Sequence, residues 1–120
     1  MVLNVISHIT LNAKSLDESI AFYEKYIGLK IAGDLRPNGM PIVFMAAEEG
    51  DQTRLELIQS DEPFSGSGIS IGFVTDRFDE KREFFVKEGL GVSDIVSPNP
   101  KVKFFFVKDP NGFSVQIMSE

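Results

Sequence analysis

Leu16-Asp17-Glu18-Ser19-Ile20-Ala21-Phe22-Tyr23-Glu24-Lys25 and Phe78-Asp79-Glu80-Lys81-Arg82-Glu83-Phe84-Phe85-Val86-Lys87 are variants of one segment written twice. A shift of 62 positions lays Asp17-Glu18 on Asp79-Glu80, Phe22 on Phe84 and Lys25 on Lys87. The same shift puts Leu16 on Phe78, Tyr23 on Phe85 and, upstream, Ile9 on Ile71. Towards the end of each half the shift becomes 60, pairing Leu55-Glu56-Leu57-Ile58 with Val115-Gln116-Ile117-Met118. A spacing held through strand, helix and turn marks two copies of one supersecondary unit, each too small to bury a core alone.

Working outward from the helix in the first copy, residues 2–13 read as a strand. Ile9, Leu11 and Ala13 alternate there with His8, Thr10 and Asn12, giving one oily and one polar face. Ser15 opens the helix, and Glu18 three residues on completes a capping box. Leu16, Ile20, Tyr23 and Ile27 form its apolar stripe, widened by Ala21 and Phe22, and Gly28 suits a left-handed C-terminus. Strands are expected at 29–36, 41–47 and 53–59, joined by turns at Asn38-Gly39 and Glu49-Gly50-Asp51. The polar, Gly/Ser/Pro-rich stretch 59–68 is the connector.

The second copy repeats this order: a strand over Ile69–Thr75, a helix over Phe78–Glu88 ended by Gly89, then strands near 91–97 and 102–108. Asp109-Pro110-Asn111-Gly112 fits a type I turn, from which the last strand, Phe113–Met118, departs. The expected fold class is α+β: two βαβββ modules forming curved mixed sheets around a cavity. At 120 residues the chain suits a single domain, with module one at 1–60, the connector at 59–68 and module two at 69–120. Phe104-Phe105-Phe106 places aromatics on both faces of one strand. Two readings of that triplet stand: both faces are core, or the inner face walls a cavity.

Bulk properties exclude several classes of function. A net charge of −6 argues against nucleic acid, which needs a concentrated Lys/Arg footprint, and mildly favours a cationic ligand. No apolar run approaches the ~18 residues that span a bilayer. The N-terminus lacks the basic start of a signal peptide, so the expected location is cytoplasmic. With no cysteine there are no disulfides, thiolate metal sites or cysteine nucleophiles. Phosphate loops, nucleophile elbows and helical zinc signatures are also missing from the sequence. Asp79, Glu80, Lys81, Arg82 and Glu83 read as the solvated side of the second helix.

Against that background, the two copies differ at two polar positions: His8 faces Ser70, and Glu56 faces Gln116. Each sits out of phase with the apolar residues beside it, so all four are expected on the face turned away from the helices. For His8 the alternatives are a neutral imidazole bonded to Thr10, Asn12 or Glu56, a ligand contact, or a metal ligand. Glu56 could equally form a salt bridge with Arg54, two residues earlier on the same face.

The stretch from Ser7-His8-Ile9-Thr10-Leu11 through Tyr23-Glu24-Lys25-Tyr26-Ile27-Gly28-Leu29 resembles the vicinal oxygen chelate superfamily. So does the closing Asp109-Pro110-Asn111-Gly112-Phe113-Ser114-Val115-Gln116-Ile117. That superfamily comprises glyoxalase I, bleomycin-resistance proteins, fosfomycin-resistance enzymes and extradiol dioxygenases. The resemblance implies paired βαβββ modules, a homodimer and cavities enclosed by two modules. In metal-using relatives a divalent ion is held by His or Gln on the first strand, Glu on the fourth, His on the fifth and Glu on the eighth. Carried over, His8 and Glu56 match, whereas Ser70 replaces a His and Gln116 replaces a Glu. The departure also removes the terminal Glu that would serve as general base in glyoxalase-type proton transfer.

The favoured expectation is therefore a protein without cofactor that binds a small organic molecule, as in antibiotic sequestration. Its cavity would be lined by His8, Phe44, Glu56, Ser70, Phe104, Phe106, Gln116 and Met118. An alternative is a lyase, isomerase or dioxygenase using Zn, Ni, Mn or Fe held by His8, Glu56 and Gln116. A third is a regulatory or interaction module with no small ligand.

Overall fold

The computed structural model of the protein describes residues 4–120. Val2 and Leu3, which the alternation assigns to the first strand, lie outside the described residues. The chain divides into two compact units, the first ending at Phe64 and the second running from Ser65 to Glu120.

In the first unit, β1 (His8–Ala13) leads to α1 (Leu16–Phe22), and β2 (Lys30–Asp34), β3 (Ile42–Ala46) and β4 (Arg54–Gln59) follow. They form a four-stranded sheet in the order β1-β4-β3-β2, with β1 parallel to β4 and the other pairs antiparallel. The second unit repeats the order with β5 (Ser70–Thr75), α2 (Phe78–Lys87), β6 (Val96–Asn99), β7 (Val102–Lys108) and β8 (Ser114–Ser119). Its sheet runs β5-β8-β7-β6, again with the outer pair β5 and β8 parallel. The two βαβββ units of an α+β fold are thus both present.

Local chemistry explains the repeated element starts and stops. Ser15 caps α1: its hydroxyl accepts from the Glu18 backbone N–H at 3.2 Å, satisfying one donor the first turn would leave unpaired. The helix widens into a π-helical turn over Tyr23–Ile27, and Gly28 ends it at φ 87°. There the Tyr23 carbonyl accepts from the N–H groups of both Gly28 and Leu29. At the close of the second unit Asp109 organises its turn by itself. Its carbonyl accepts from Gly112 at 3.0 Å, and its carboxylate Oδ1 accepts from the N–H of Asn111 at 2.8 Å and of Phe113 at 2.9 Å. That turn aims β8 back along β7 and so sets the position of Gln116.

Each helix covers one face of its own sheet, α1 against β4 and α2 against β8. Leu11, Ala13, Val43, Met45, Leu55 and Leu57 are buried on the sheet of the first unit, and Leu16, Ile20, Phe22 and Tyr23 are buried on its helical segment. In the second unit Phe105, Val107, Val115 and Ile117 are buried. Phe78 and Phe85 meet the edge of Phe105 with ring centroids 5.3 and 5.9 Å apart, a geometry that adds to plain area burial. Phe105 is therefore core, while Phe104 and Phe106 on the opposite face stay half-buried.

Four expectations need correction. The first strand is shorter than 2–13, because residues 4–7 are irregular and β1 begins at His8. Ala21 is exposed, because it lies on the far side of α1 from the buried stripe. The stretch 91–97 is not one strand: Val92 makes a lone bridge to Val107, and the regular strand begins only at Val96. Finally, the charged side of α2 is not uniformly solvated. Lys81 and Arg82 are half-buried over the rings of Phe85 and Phe105, at 5.8 and 5.6 Å. Burial pushes the Lys81 ammonium below its usual range, because desolvation disfavours the charged form. Their aliphatic stems extend the core, and Arg82 also donates to the Ser93 carbonyl at 2.9 Å.

Candidate ligand-binding site

Strand alternation settles which side chains share the face away from the helix in each unit. In the first unit that face carries His8, Thr10 and Asn12 from β1, Arg54, Glu56 and Ile58 from β4, and Ile42 and Phe44 from β3. The register sets Thr10 opposite Glu56, and Phe44 opposite Glu56 on its other side. His8 reaches Glu56 along the diagonal: its Nε2 lies 3.7 Å from Oε1, and its ring meets the Phe44 edge at 5.8 Å. His8, Phe44 and Glu56 are therefore neighbours.

Their partners differ from expectation. The Thr10 hydroxyl donates to Glu56 Oε1 at 2.6 Å, so it serves the carboxylate and not the imidazole. The imidazole Nδ1 instead lies 3.2 Å from the Ser7 hydroxyl. No Arg54–Glu56 salt bridge forms, because the Arg54 Nε donates to the Asp51 carbonyl at 3.1 Å and turns the guanidinium towards the turn. Glu56 is largely covered, with 14% of its side chain exposed, against 42% for His8. Phe44 lies against Gly33, where a Cβ would come within 3.4 Å of its ring, beside the irregular register between Ile31 and Gly33.

The matching face of the second unit carries Ser70, Gly72 and Val74 from β5, Ser114, Gln116 and Met118 from β8, and Phe104, Phe106 and Lys108 from β7. Phe106 is opposite Gln116 and Phe104 opposite Met118. The rings of Phe104 and Phe106 pack edge to face, 5.8 Å apart. Ser70 is exposed at the start of β5 and is paired with Ser114, and no hydrogen bond joins it to Gln116 among the described residues. The residues named from the sequence thus fall into two groups: His8, Phe44 and Glu56 in one unit, and Ser70, Phe104, Phe106, Gln116 and Met118 in the other.

Sequence reasoning missed one position. Thr10 and Gly72 are equivalents under the shift of 62, and each stands opposite the Glu or Gln of its unit. The signal was visible as a Thr-to-Gly change inside an otherwise repeated strand.

As a metal site this donor set is a poor fit. The first unit offers one imidazole and one carboxylate, and Oε1 of the latter already accepts from Thr10. At the corresponding places the second unit offers a hydroxyl and a neutral amide. Divalent transition metals are ordinarily held by three or four imidazole, carboxylate or thiolate donors. Among the described residues no group of three or more His, Cys, Asp or Glu side chains comes together. The same residues can instead offer hydrogen bonds and aromatic surface to an organic molecule.

Two four-stranded sheets built from successive βαβββ units, each with a polar pair on its open face, define the paired-module class. The chain belongs to the Glyoxalase/Bleomycin resistance protein/Dioxygenase superfamily, whose family description matches residues 5–117. It is 28% identical over 116 residues to the uncharacterized protein YwbC of Bacillus subtilis (strain 168), covering 89% of this chain and 90% of that one. Among solved structures, lactoylglutathione lyase from Agrobacterium tumefaciens superposes with a TM-score of 0.71 at 20% identity, covering 98% of this chain and 94% of that one. The fosfomycin resistance protein FosX from Mesorhizobium loti superposes with a TM-score of 0.74 at 16% identity, covering 99% and 94%. These structural likenesses establish the shared fold. The superfamily includes lyases and dioxygenases. Among the described residues, no helix is long and apolar enough to cross a membrane.

Proposed function

We propose that this protein binds a small organic molecule without a metal, and that it sequesters the molecule instead of transforming it. The observation carrying this reading is the pair of substitutions between the units: Ser70 and Gln116 stand where His8 and Glu56 stand in the first. A site with one imidazole and one carboxylate lacks the charge and donor number that hold a catalytic cation. Phe44, Phe104, Phe106 and Met118 supply apolar surface for affinity, and the polar groups supply orientation. The functional assembly in this reading is a homodimer whose paired modules enclose the cavity, and the net charge of −6 favours cationic guests such as bleomycin-type compounds.

A thermal-shift screen against bleomycin-type compounds and a diverse metabolite set tests this. Stabilisation growing with ligand concentration is expected, since binding to the folded state alone stabilises it by mass action. A screen in which no compound raises the melting temperature would sink the reading.

The 3.7 Å approach of His8 to Glu56 favours a second reading, a metal-dependent lyase, isomerase or dioxygenase completed by Gln116. Elemental analysis after purification without chelator separates the two. Metal-free binding predicts no stoichiometric Zn, Ni, Mn or Fe and no thermal stabilisation when each is added. One ion per chain would reverse the order of the readings.

A further inference from the structure

Gly72 lies inside β5, and its φ is not among the positive values found at the turn glycines. Backbone freedom is therefore not what a glycine contributes here, and inside a strand it costs about 0.5–1 kcal/mol relative to Ala. What its missing side chain provides is room. A Cβ at this position would sit 3.0 Å from Gln116 Oε1 and 3.5 Å from the Met118 sulfur. The Gln116 amide thus lies across β5 in the space a side chain would fill. A glycine within a strand commonly marks close approach by another group.

That amide is unsatisfied by the protein: among the described residues its oxygen and its NH2 group make no hydrogen bond. The equivalent carboxylate of the first unit is held by Thr10 at 2.6 Å. Replacement of Thr by Gly at the equivalent place both removes the donor and clears the space. The wall beside Gln116 is apolar, with Phe106 opposite it and the Phe104 and Phe106 rings edge to face at 5.8 Å. Across β5 and β8 this face carries no ionisable side chain, and on β7 it carries Lys108, exposed at the far end of the strand opposite Ser114.

We propose that the face of the second unit is a recognition site for a neutral, planar ligand edge bearing an adjacent hydrogen-bond donor and acceptor. A primary carboxamide or a lactam on an aromatic ring has this chemistry. Gln116 pairs with the edge through both ends of its amide, Phe104 and Phe106 flank the ring, and Gly72 keeps the amide accessible. A primary amide presents both donor and acceptor, so it complements another amide edge in a way that neither a carboxylate nor an ammonium can. This inference rests on the proposed function, that the chain binds a small organic molecule, and it identifies the chemistry of one edge of that molecule, whose net charge can lie elsewhere.

The test is NMR titration of the full chain with benzamide, N,N-dimethylbenzamide and benzylamine, following the Gln116 side-chain NH2 signals and backbone amides of both sheets. Benzamide is expected to shift the Gln116 NH2 pair and β8, with N,N-dimethylbenzamide binding at least about tenfold more weakly for want of its donor. Gln116→Glu, which keeps the shape but removes the NH2 donor, is expected to lose a similar factor. Gly72→Ala is expected to weaken binding severalfold by displacing the amide. Both variants are first checked for unchanged amide dispersion.

If benzylamine binds at the His8–Glu56 face while benzamide leaves Gln116 unmoved, this inference fails and the proposed function stands. Equal binding of benzamide to wild type and Gln116→Glu also overturns the inference. If no probe perturbs either sheet and the compound screen is also blank, the inference and the proposed function fall together.

Discussion

The open faces of the two sheets start from one template and end with opposite chemistry. On the first, a carboxylate is pinned between a hydroxyl at 2.6 Å and an imidazole at 3.7 Å. On the second, a neutral amide with no hydrogen bond among the described residues lies over a glycine, beside two phenylalanine rings. The faces turned towards the helices diverged less: both remain apolar, and β3 and β4 are buried as β7 and β8 are, although β1 buries Leu11 and Ala13 where β5 buries no residue. Packing constrains the covered face to a narrow set of shapes and polarities. The uncovered face is free to change, and it is there that the copies separated.

The largest effect that sharpens this contrast lies within β7 itself. Phe105→Ala removes a fully buried ring that touches both Phe78 and Phe85, and is expected to cost ~3–5 kcal/mol. Phe106→Ala on the open face should cost under about 2 kcal/mol, because that ring is only half-buried. Chemical denaturation with a constant m-value measures both. Equal losses would mean that the open face of the second sheet is core after all and presents no binding surface.

Next in size is the hydrogen bond that one face has and the other lacks. Thr10→Val keeps the branched shape but removes the donor to Glu56, and should cost about 1 kcal/mol. Gly72→Ala at the equivalent position should be near neutral. Relief of the strand glycine, ~0.5–1 kcal/mol, offsets the 3.0 Å contact with the Gln116 oxygen. If the two substitutions cost the same, the Thr-to-Gly difference carries no energetic meaning. A further step rebuilds the first face on the second: Gly72→Thr combined with Gln116→Glu should show favourable coupling of about 0.5–1 kcal/mol in a double-mutant cycle. Zero coupling would show that the geometry of β5 and β8 does not reproduce that of β1 and β4.

Much of this arrangement was legible in the sequence, and the rest was hidden for definite reasons. Among the described residues, the repeat, alternation and caps located the eight strands and two α-helices, although β1 starts only at His8, because period-two and helical apolar patterns report which side is covered. The start of β6 was misplaced because Val92 has the right character for a strand but forms only an isolated bridge. Of the eight residues expected to line one cavity, His8, Phe44 and Glu56 come together in the first unit because their strands are adjacent and in phase, and the other five lie in the second. Which atom bonds which was not legible. Parity puts Thr10, His8, Arg54 and Glu56 on one face, but side-chain rotamers and the nearby Asp51 carbonyl decide that Thr10 takes the carboxylate and Arg54 does not. The importance of Gly72 was hidden because a glycine read singly suggests a turn or a weak strand. Only its register partner shows what it makes room for.

The smallest predicted effect concerns the hairpins at the sheet edges, where the two units again differ in charge. In the first unit Asp34 receives two side-chain hydrogen bonds from the Arg36 guanidinium, at 2.9 and 2.8 Å, and one from the Arg36 backbone N–H at 3.0 Å. These hold its carboxyl down from the ordinary 3.8 to about 2, the side-chain bonds contributing most. The second unit ties its corresponding hairpin with a neutral group, the Ser97 hydroxyl, within 2.9 Å of the carbonyls of Asn99 and Val102. A carboxyl whose folded-state value is depressed stabilises the fold above its unfolded value and loses that contribution as pH falls through the folded one. The first hairpin should therefore loosen between about pH 4 and pH 2, and the second should not respond to this titration. Because the pair is exposed the effect is small, and added salt should reduce it. Amide-exchange protection factors for β2 and β3, compared with those of β6 and β7 across that range, read the difference. Asp34→Asn should flatten the acid response of the first hairpin alone, because Asn keeps an acceptor for Arg36 but has no proton to take up. An unchanged acid profile in that variant would assign the response to other carboxylates and remove the electrostatic difference between the hairpins.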